Sequence, residues 1–420
     1  RPLDFSAELD ARAQGSRVRA TARMKWVGGN PDYDCTLITE DLDPALITGD
    51  PDLAGSIDAT TIFKGSGFDP RRMRAVLRTE VDSSRFWGVE VGRSVVVTNI
   101  ADGTLRSNAT LQAGLSSLRL NGSLSLHRSD NMAFQLEAVA QGLDFGEVLR
   151  DTRWKSDVSF RLTAGGSLSA GDVSEVEGSV EFSRSSFGSD AFDGTTASFA
   201  YNSSDSLNRS FSFLSDFAEI YVDGLFTPAS LVSTLEGGLF AVGRTVELRS
   251  HQIDSTLPPP RLTPTAPPRT SPAPVTARFI LAVADAYPFG VVAGQPMEGA
   301  LLLEGLVDGT EDNVSLQATI NTPQFALEGE TRFALDAGTL ELRLANLQRS
   351  ALLPAWSGGL EFSADRLTAG EMGFTFPRGS LAITPDSLAL SVTALVDSIF
   401  HAEVGGSAAF TPAGLHAVFP

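Results

Sequence analysis

Residue types that carry chemistry are scarce in this chain. Its 420 residues include one cysteine, Cys35, and four scattered histidines, His127, His251, His401 and His416. A single cysteine excludes an internal disulfide framework, and so few histidines leave little material for a metal site. Tyrosine and tryptophan occur four times each, against 26 phenylalanines. The aromatic content is therefore almost entirely apolar.

Basic residues are also in short supply. Lysine and arginine number 32 against 51 aspartates and glutamates, which gives a net charge of −19. A nucleic-acid partner would require a basic face, so that class of function is excluded. A hydrophobic content of 42% is too high for a disordered chain.

Long apolar runs are missing as well. No stretch approaches the roughly 18–20 apolar residues of a membrane-spanning helix, and no signal peptide is visible. The chain begins at Arg1 without methionine and stops in mid-pattern at Pro420. We therefore expect a fragment of a longer protein, with any membrane anchor outside it.

Strict alternation of apolar and polar residues is the dominant pattern present. Leu118, Leu120, Leu124 and Leu126 interleave with polar residues such as Arg119, which predicts a strand with one apolar face. The alternation recurs throughout the chain, with turn signals such as Asp102-Gly103 and Asn121-Gly122 between the segments. The sequence predicts an all-β chain of hairpins.

Only short helices are indicated. Asp43 and Asp144 each stand at a predicted helix N-cap, and a third helix is expected from Thr227 to Glu236, ended by Gly237-Gly238. This third helix is interpreted as a cover on one end of a sheet.

Similar residues recur 101 positions apart, which indicates an internal repeat. The matching pairs are Tyr33 and Phe134, Leu42 and Leu143, Asp43 and Asp144, Ile57 and Val158, Gly65 and Gly166, Val81 and Phe182, and Phe86 and Phe187. A weaker third copy restarts near Asp285. The predicted organisation is a first module over 1–126, a second over 127–253 ending in a short helix, a connector over 254–276 and further module sequence over 277–420. Eight prolines between Pro258 and Pro274 predict that the connector is extended and solvated, with recognition by a proline-binding partner as the alternative.

Catalytic signatures are not found. Nucleophile-elbow, phosphate-loop, zinc-protease and dinucleotide motifs are all missing. The acidic groups around Asp43 and Asp308 are interpreted as turn residues rather than as a cation site. The sequence thus predicts no enzyme, no catalytic residue, no cofactor and no metal. An antiparallel sheet must still hide its apolar face, in a sandwich, a closed barrel or a groove.

Three segments, Asp41 to Gly67, Asp82 to Gly88 and Leu118 to Leu126, resemble the AsmA-like proteins, and most of all the TamB (translocation and assembly module) type. The second copy repeats the pattern from Leu143 to Phe226. The resemblance is good over about Arg17 to Phe226 and looser over Ala277 to Pro420. It rests on patterns of hydrophobicity and glycine rather than on catalytic residues.

This resemblance implies a long antiparallel sheet, curled into a taco-like hydrophobic groove built from ~100-residue repeats, with a few short capping helices. It implies a periplasmic protein, anchored to the inner membrane by a segment outside this chain, that carries phospholipid acyl chains toward the outer membrane. An outer-membrane barrel protein is an expected partner. The alternatives are a TamB-type factor for outer-membrane protein assembly or secretion, and a passive β-sandwich surface or stalk protein.

Acyl chains require apolar contact rather than specific hydrogen bonds, at about 0.8 kcal/mol per buried methylene. Arg119, Ser123 and Arg161 are expected on the opposite face, in water. The residues predicted to line the groove are Leu118, Leu120, Leu124, Leu126, Phe134, Leu136, Phe160, Leu162, Phe182, Ile220 and Val222.

Overall fold

The structure is a computed structural model. It describes residues 4–13, 15–27, 30–49, 54–86, 89–127, 132–149, 155–169, 172–187, 190–192, 194–203, 208–253, 274–293, 295–310, 312–329, 332–348, 356–396, 400–411 and 414–418.

The described residues form 27 strands and four helices. The strands are β1 (Asp4–Ala13), β2 (Ser16–Val27), β3 (Asn30–Leu42), β4 (Gly55–Ser66), β5 (Arg74–Phe86), β6 (Val89–Val91), β7 (Ser94–Ala101), β8 (Thr104–Ala113), β9 (Ser116–Ser125), β10 (Met132–Leu143), β11 (Ser156–Ser169), β12 (Asp172–Phe182), β13 (Ser185–Phe187), β14 (Asp190–Phe192), β15 (Thr196–Asn202), β16 (Arg209–Ser215), β17 (Ala218–Leu225), β18 (Val275–Val283), β19 (Met297–Thr310), β20 (Asn313–Leu327), β21 (Phe333–Leu347), β22 (Ser357–Ser363), β23 (Arg366–Ala369), β24 (Met372–Ile383), β25 (Ser387–Val396), β26 (Phe400–Thr411) and β27 (Gly414–Val418). The helices are α1 (Pro44–Thr48), α2 (Phe145–Leu149), α3 (Pro228–Ile253) and α4 (Tyr287–Ala293).

The strands form an antiparallel sheet, and this confirms the predicted all-β fold class. The chain divides into two compact units, residues 1–200 and 201–420. The division falls inside the second predicted module, which spans residues 127–253.

In both units, most contacts between elements join strands that are neighbours in the sheet. In unit 1, α1 contacts β4 and α2 contacts β11. In unit 2, α3 contacts β18 to β21 and β27, and α4 contacts β19.

The structure confirms one of two turns predicted from the sequence and contradicts the other. Asp102 and Gly103 join β7 to β8 with φ angles of 49° and 68°, as the two central residues of a tight hairpin turn require. Asn121-Gly122, by contrast, lies inside β9, where Gly122 faces Leu136 of β10. The prediction of a turn at Asn121 is wrong because this dipeptide continues the alternation of the strand.

The 101-residue repeat recurs in the hydrogen bonds of unit 1. Asp43 accepts from the backbone N–H groups of Ala45 (3.0 Å) and Gly55 (3.1 Å). Asp144, 101 residues later, accepts from the same groups of Gly146 (2.8 Å) and Ser156 (3.0 Å). Each aspartate therefore caps a five-residue helix and fixes the strand that follows it.

The buried serines repeat in the same way. Ser84 Oγ accepts from the backbone N–H of Asp58 (2.9 Å), and Ser185 Oγ accepts from that of Ser159 (3.0 Å). Donor and acceptor are both displaced by 101 residues. Local geometry is thus repeated as well as hydrophobic pattern.

A third copy of the pattern begins in unit 2. Asp285 accepts from the backbone N–H of Tyr287 (3.0 Å) at the start of α4. β11 and β19 have the same length of 14 residues, and β19 begins 141 positions after β11 rather than 101. This longer interval contains helix α3.

Helix α3 is longer than the sequence indicates. It was expected to end at Gly237-Gly238 but continues to Ile253. Both glycines are buried, and a Cβ atom at Gly238 would lie 3.5 Å from Leu347 and 3.6 Å from Val314. The glycines therefore serve close packing against the sheet, and the prediction that they stop the helix is wrong. Residues 254–273 of the predicted connector lie outside the described residues, whereas Val275 and Thr276 begin β18.

Candidate functional site

One face of the sheet in unit 1 is apolar from β2 to β12, and we call it the unit 1 apolar face. Directly paired residues share a face of an antiparallel sheet, so the registers trace rows of side chains across ten strands. One row is Met24, Tyr33, Gly65, Ala75, Ile100, Leu105, Leu124, Phe134, Gly166 and Val176. A second row is Ala20, Leu37, Thr61, Thr79, Val96, Ala109, Leu120, Ala138, Leu162 and Val180. Neither row contains a charged residue.

The structure brings the predicted lining residues of unit 1 together on this face. Leu118, Leu120 and Leu124 lie on β9, and the next two strands contribute Phe134, Leu136, Phe160 and Leu162. Phe182 ends β12 beside Phe160, with ring centroids 6.2 Å apart. Leu126 directly follows β9 and its N–H donates to the carbonyl of Gly103. Ile220 and Val222 belong to unit 2.

Burial of these residues is incomplete. Of the predicted lining residues only Val222 is buried, at 8% exposure, and Leu136 is 38% exposed. The others are half-buried. In the core of a two-layered sandwich the same residues would be covered by the second sheet. The unit 1 apolar face is instead partly accessible, although Tyr33, Ala75 and Ala138 in its rows are buried.

Aromatic rings on the apolar faces lie over glycines of the neighbouring strand. A Cβ atom added to any of five glycines would lie 3.0 Å or less from an atom of such an aromatic side chain. The glycine and ring pairs are Gly65 with Tyr33, Gly166 with Phe134, Gly178 with Phe199, Gly305 with Phe279, and Gly379 with Phe362. Glycine lets each ring lie close to the backbone, so that large aromatic side chains line the face without projecting far from it.

An aromatic cluster covers one end of the unit 1 apolar face. Tyr33 stacks between Phe63 and Phe68, at centroid distances of 4.9 and 5.9 Å. The Tyr33 side chain is 8% exposed, and its hydroxyl has no hydrogen-bond partner among the described residues. Burial, with a smaller contribution from Cys35, raises the pKa of this hydroxyl above its ordinary value of 10.0.

The opposite face carries the charges. Lys64 pairs with Asp34 (3.0 Å), and Arg161 pairs with Glu137 (3.3 Å). Arg119 is exposed there, as predicted, and lies between Thr110 and Val139. The hydrogen bond from Arg17 (2.7 Å) lowers the pKa of the exposed Asp10. These pairs are solvated and contribute little to stability, but they mark this face as the one in water.

Unit 2 has an apolar face of its own, the unit 2 apolar face, built on the same principle. One row is Phe213, Ile220, Leu281, Leu303, Ile320, Leu340, Phe362, Gly379, Val392 and Val404. A second is Phe211, Val222, Phe279, Gly305, Ala318, Leu342, Leu360, Leu381, Leu390 and Gly406. Arg209 lies at its margin, opposite Gly224.

The set of lining residues predicted from the sequence omits most residues of the unit 2 apolar face, although the strands that carry them were predicted. The signal available was the alternation itself, extended through Leu281, Leu303, Ile320 and Leu342. The glycines beneath the rings could also have been found, because each occupies an apolar-face position in an alternating segment.

The described depressions with polar linings lie on the charged face. One of about 780 Å³ is lined by Arg106, Asn108, Asn121 and Glu137 among others, and one of about 420 Å³ by Glu341, Glu361 and Arg378 among others. In the described part of the chain, no group of three or more histidine, cysteine, aspartate or glutamate residues is arranged to hold a metal ion. No described helix combines the length and apolar character needed to cross a membrane.

Comparison with known proteins gives no match to a family model, to a curated protein or to a solved structure.

Proposed function

We propose that this chain is a lipid-carrying module whose apolar faces bind the acyl chains of phospholipids. The observation that carries the proposal is the uninterrupted apolar row, ten strands long in each unit, on a face that is only half-buried. Exposed apolar surface of this extent is costly in water and is typical of a binding surface.

The chemistry of the two faces supports acyl chains in particular. A saturated chain gains about 0.8 kcal/mol for each methylene removed from water and needs no hydrogen-bonding partner. The rows offer aliphatic, aromatic, glycine and hydroxyl side chains without charge, so a chain can slide along them without meeting a barrier. Phe134 lies close to the backbone at Gly166, and Phe279 lies close to it at Gly305. Neither ring therefore projects far into the path of an acyl chain.

The resemblance to AsmA-like proteins extends this proposal to a place in the cell. On that basis the module belongs to a periplasmic protein that carries phospholipid between the inner and outer membranes. A role in outer-membrane protein assembly would use the same face for apolar strands of a client instead of lipid. A passive stalk would bind neither.

A substitution on the unit 1 apolar face tests the lipid proposal. Leu120→Asp places a charge in an apolar row, at a cost of several kcal/mol where water cannot follow the carboxylate. Because Leu120 borders open space, the fold tolerates the change better than a bound acyl chain does. We expect purified Leu120→Asp protein to carry much less phospholipid by mass spectrometry, with a circular dichroism spectrum close to that of wild type.

Arg119→Asp is the matched control, since it introduces the same charge one residue away on the opposite face. It should leave both bound lipid and folding unchanged. If the wild-type protein carries no lipid from a lipid-rich lysate, or if Leu120→Asp unfolds the chain, the surface is a structural core and the proposal is wrong.

A further inference from the structure

Helix α3 occupies part of the unit 2 apolar face. Val275 and Val307 have no solvent exposure, and Val314 and Leu347 are each 2% exposed. Gly238 of α3 faces the last two of these side chains. Farther along the same face, Leu303, Ile320 and Leu340 are half-buried. We call the four covered residues, Val275, Val307, Val314 and Leu347, the covered segment.

Helix α3 buries small residues and leaves several large apolar residues exposed. Its small residues Thr234, Gly237, Gly238 and Ala241 are buried. Several of its large residues are exposed: Val232 at 54%, Leu235 at 39%, Leu239 at 73% and Val246 at 58%. A helix whose permanent place is on a sheet buries its large apolar side chains there. Here the fully buried positions of α3 are small residues, and Leu231 and Leu248 are only half-buried.

Two further features weaken the packing of α3 against the sheet. Thr234 is 1% exposed, and its Oγ1 has no hydrogen-bond partner among the described residues. An unpaired buried hydroxyl opposes the closed position. Adjacent glycines also disfavour the helical state at the point of closest contact. A hydrogen bond from Trp356 Nε1 to Thr245 Oγ1 (2.7 Å) holds the helix farther along.

The start of the helix is stabilised independently of the sheet. Thr227 Oγ1 accepts from the N–H of Ser230 (3.0 Å), while Ser230 Oγ accepts from the N–H of Thr227 (2.8 Å). This reciprocal pair caps α3 through local contacts alone. The helix can therefore leave the covered segment without losing its cap.

We propose that α3 is a displaceable lid, and that acyl chains compete with it for the covered segment of the unit 2 apolar face. The proposal rests on the proposed function and adds its regulation: lipid enters this part of the face only when α3 moves away. An acyl chain covers Val307 and Leu347 with continuous methylenes, where α3 offers glycine and an unpaired hydroxyl.

A reversible disulfide tests the lid in the full chain. A Cβ atom at Gly238 would lie 3.8 Å from the Cβ of Val314, which matches the separation found across disulfides. The variant Gly238→Cys/Val314→Cys is made in a Cys35→Ala background, because Cys35 is the only native cysteine. Diamide takes two electrons and two protons from the thiols to close the bond and becomes a hydrazine, and dithiothreitol reopens it.

The probe is a fatty acid carrying a photoreactive diazirine, and labelled residues are mapped by mass spectrometry. In the reduced protein we expect label on the covered segment and on the unit 1 apolar face. Oxidation should reduce label on the covered segment about tenfold or more, since the tether leaves almost no open population. Label around Leu120 should not change.

Thr234→Val provides a second test without a new covalent bond. It replaces the unpaired hydroxyl by a methyl group of similar size, which favours the closed lid. The melting temperature should rise, and label on the covered segment should fall severalfold. The single variants Gly238→Cys and Val314→Cys are the controls for oxidation, and should be labelled equally with and without diamide.

The outcomes separate the lid from the proposed function. Equal labelling of the covered segment in the oxidised and reduced double variant would show that α3 is a fixed part of the fold, and the lid would be rejected while lipid binding stands. Label on the unit 1 apolar face alone, in both states, would also reject the lid. No label in either unit would overturn lipid binding and the lid together.

Discussion

Single residues explain how the two copies in unit 1 differ. Tyr33 and Phe134 hold equivalent places over Gly65 and Gly166, but only Tyr33 carries a hydroxyl, which is buried and unpaired among the described residues. The second copy therefore shows that the site accepts a phenylalanine. The buried hydroxyl of Tyr33 therefore destabilises the first copy.

Tyr33→Phe should accordingly stabilise the protein by about 1 kcal/mol in urea unfolding at neutral pH. The pH dependence has a definite sign. Because burial raises the pKa of Tyr33 in the folded state, the wild type binds its proton more tightly when folded. Its stability is intact below the unfolded pKa of about 10 and declines as pH rises through the folded value. The advantage of Tyr33→Phe should therefore grow above about pH 10. Tyr221→Phe, at a residue 41% exposed, should leave stability at neutral pH unchanged.

The pairing of Phe362 with Gly379 yields a second prediction at this scale. The nearest atoms to a Cβ at Gly379 all belong to the Phe362 ring. Gly379→Ala should therefore displace the ring and cost about 2 kcal/mol in urea unfolding. Adding Phe362→Leu should recover most of that loss.

Gly359→Ala is the control for this pair. Gly359 lies on the same strand as Phe362 but on the other face, and the nearest atom to its Cβ would be the Leu381 carbonyl at 4.0 Å. It should change stability by less than about 1 kcal/mol. Equal losses at Gly359 and Gly379 would mean that strand propensity, and not the ring, accounts for the glycine.

At the scale of elements, the three aspartate caps differ in the number of backbone N–H groups from which each accepts a hydrogen bond. Asp43 and Asp144 each accept two described backbone N–H groups, whereas Asp285 accepts one. Replacing a cap aspartate by alanine typically costs about 0.5–2 kcal/mol. We expect Asp43→Ala and Asp144→Ala near the upper end of that range and Asp285→Ala near the lower end, by urea unfolding. The asparagine variants keep an acceptor oxygen and should lose much less. A larger loss at Asp285 than at Asp43 would contradict this account.

The strands were predictable from sequence, because a half-buried strand requires a period of two and the chain follows it. Leu118, Leu120 and Leu124 alternate with polar residues, and the structure places them on one face of β9. The wrong predictions of a turn and of a helix end arise from tertiary contacts. Gly122 resembles a turn residue but faces Leu136 inside the sheet, and Gly237-Gly238 resemble a helix stop but pack against Val314 and Leu347. Neither neighbour is visible in the local sequence.

The apolar rows belong to the scale of the whole molecule, since no single strand defines them. The sequence indicates which residues of one strand share a face. Only the register shows that Leu120 meets Ala109 and Ala138, and that the row continues to Ala20 and Val180. For this reason the lining residues predicted from the alternation include only part of each row in unit 1.

A carrier that holds lipid along its length should contact acyl chains in both units. We expect p-benzoylphenylalanine at Leu120 in unit 1, and separately at Leu342 in unit 2, to cross-link phospholipid in the full chain on illumination, because both lie in uncharged apolar rows. The same probe at Arg119 or Arg343, one residue away on the charged face, should not. Mass spectrometry of the cross-linked peptides identifies the lipid. Cross-linking at Leu120 alone would describe a local pocket, and equal cross-linking at Leu120 and Arg119 would describe adsorption to the surface. The first result would reject lipid binding by the unit 2 apolar face, and the second would reject selective binding to the uncharged rows.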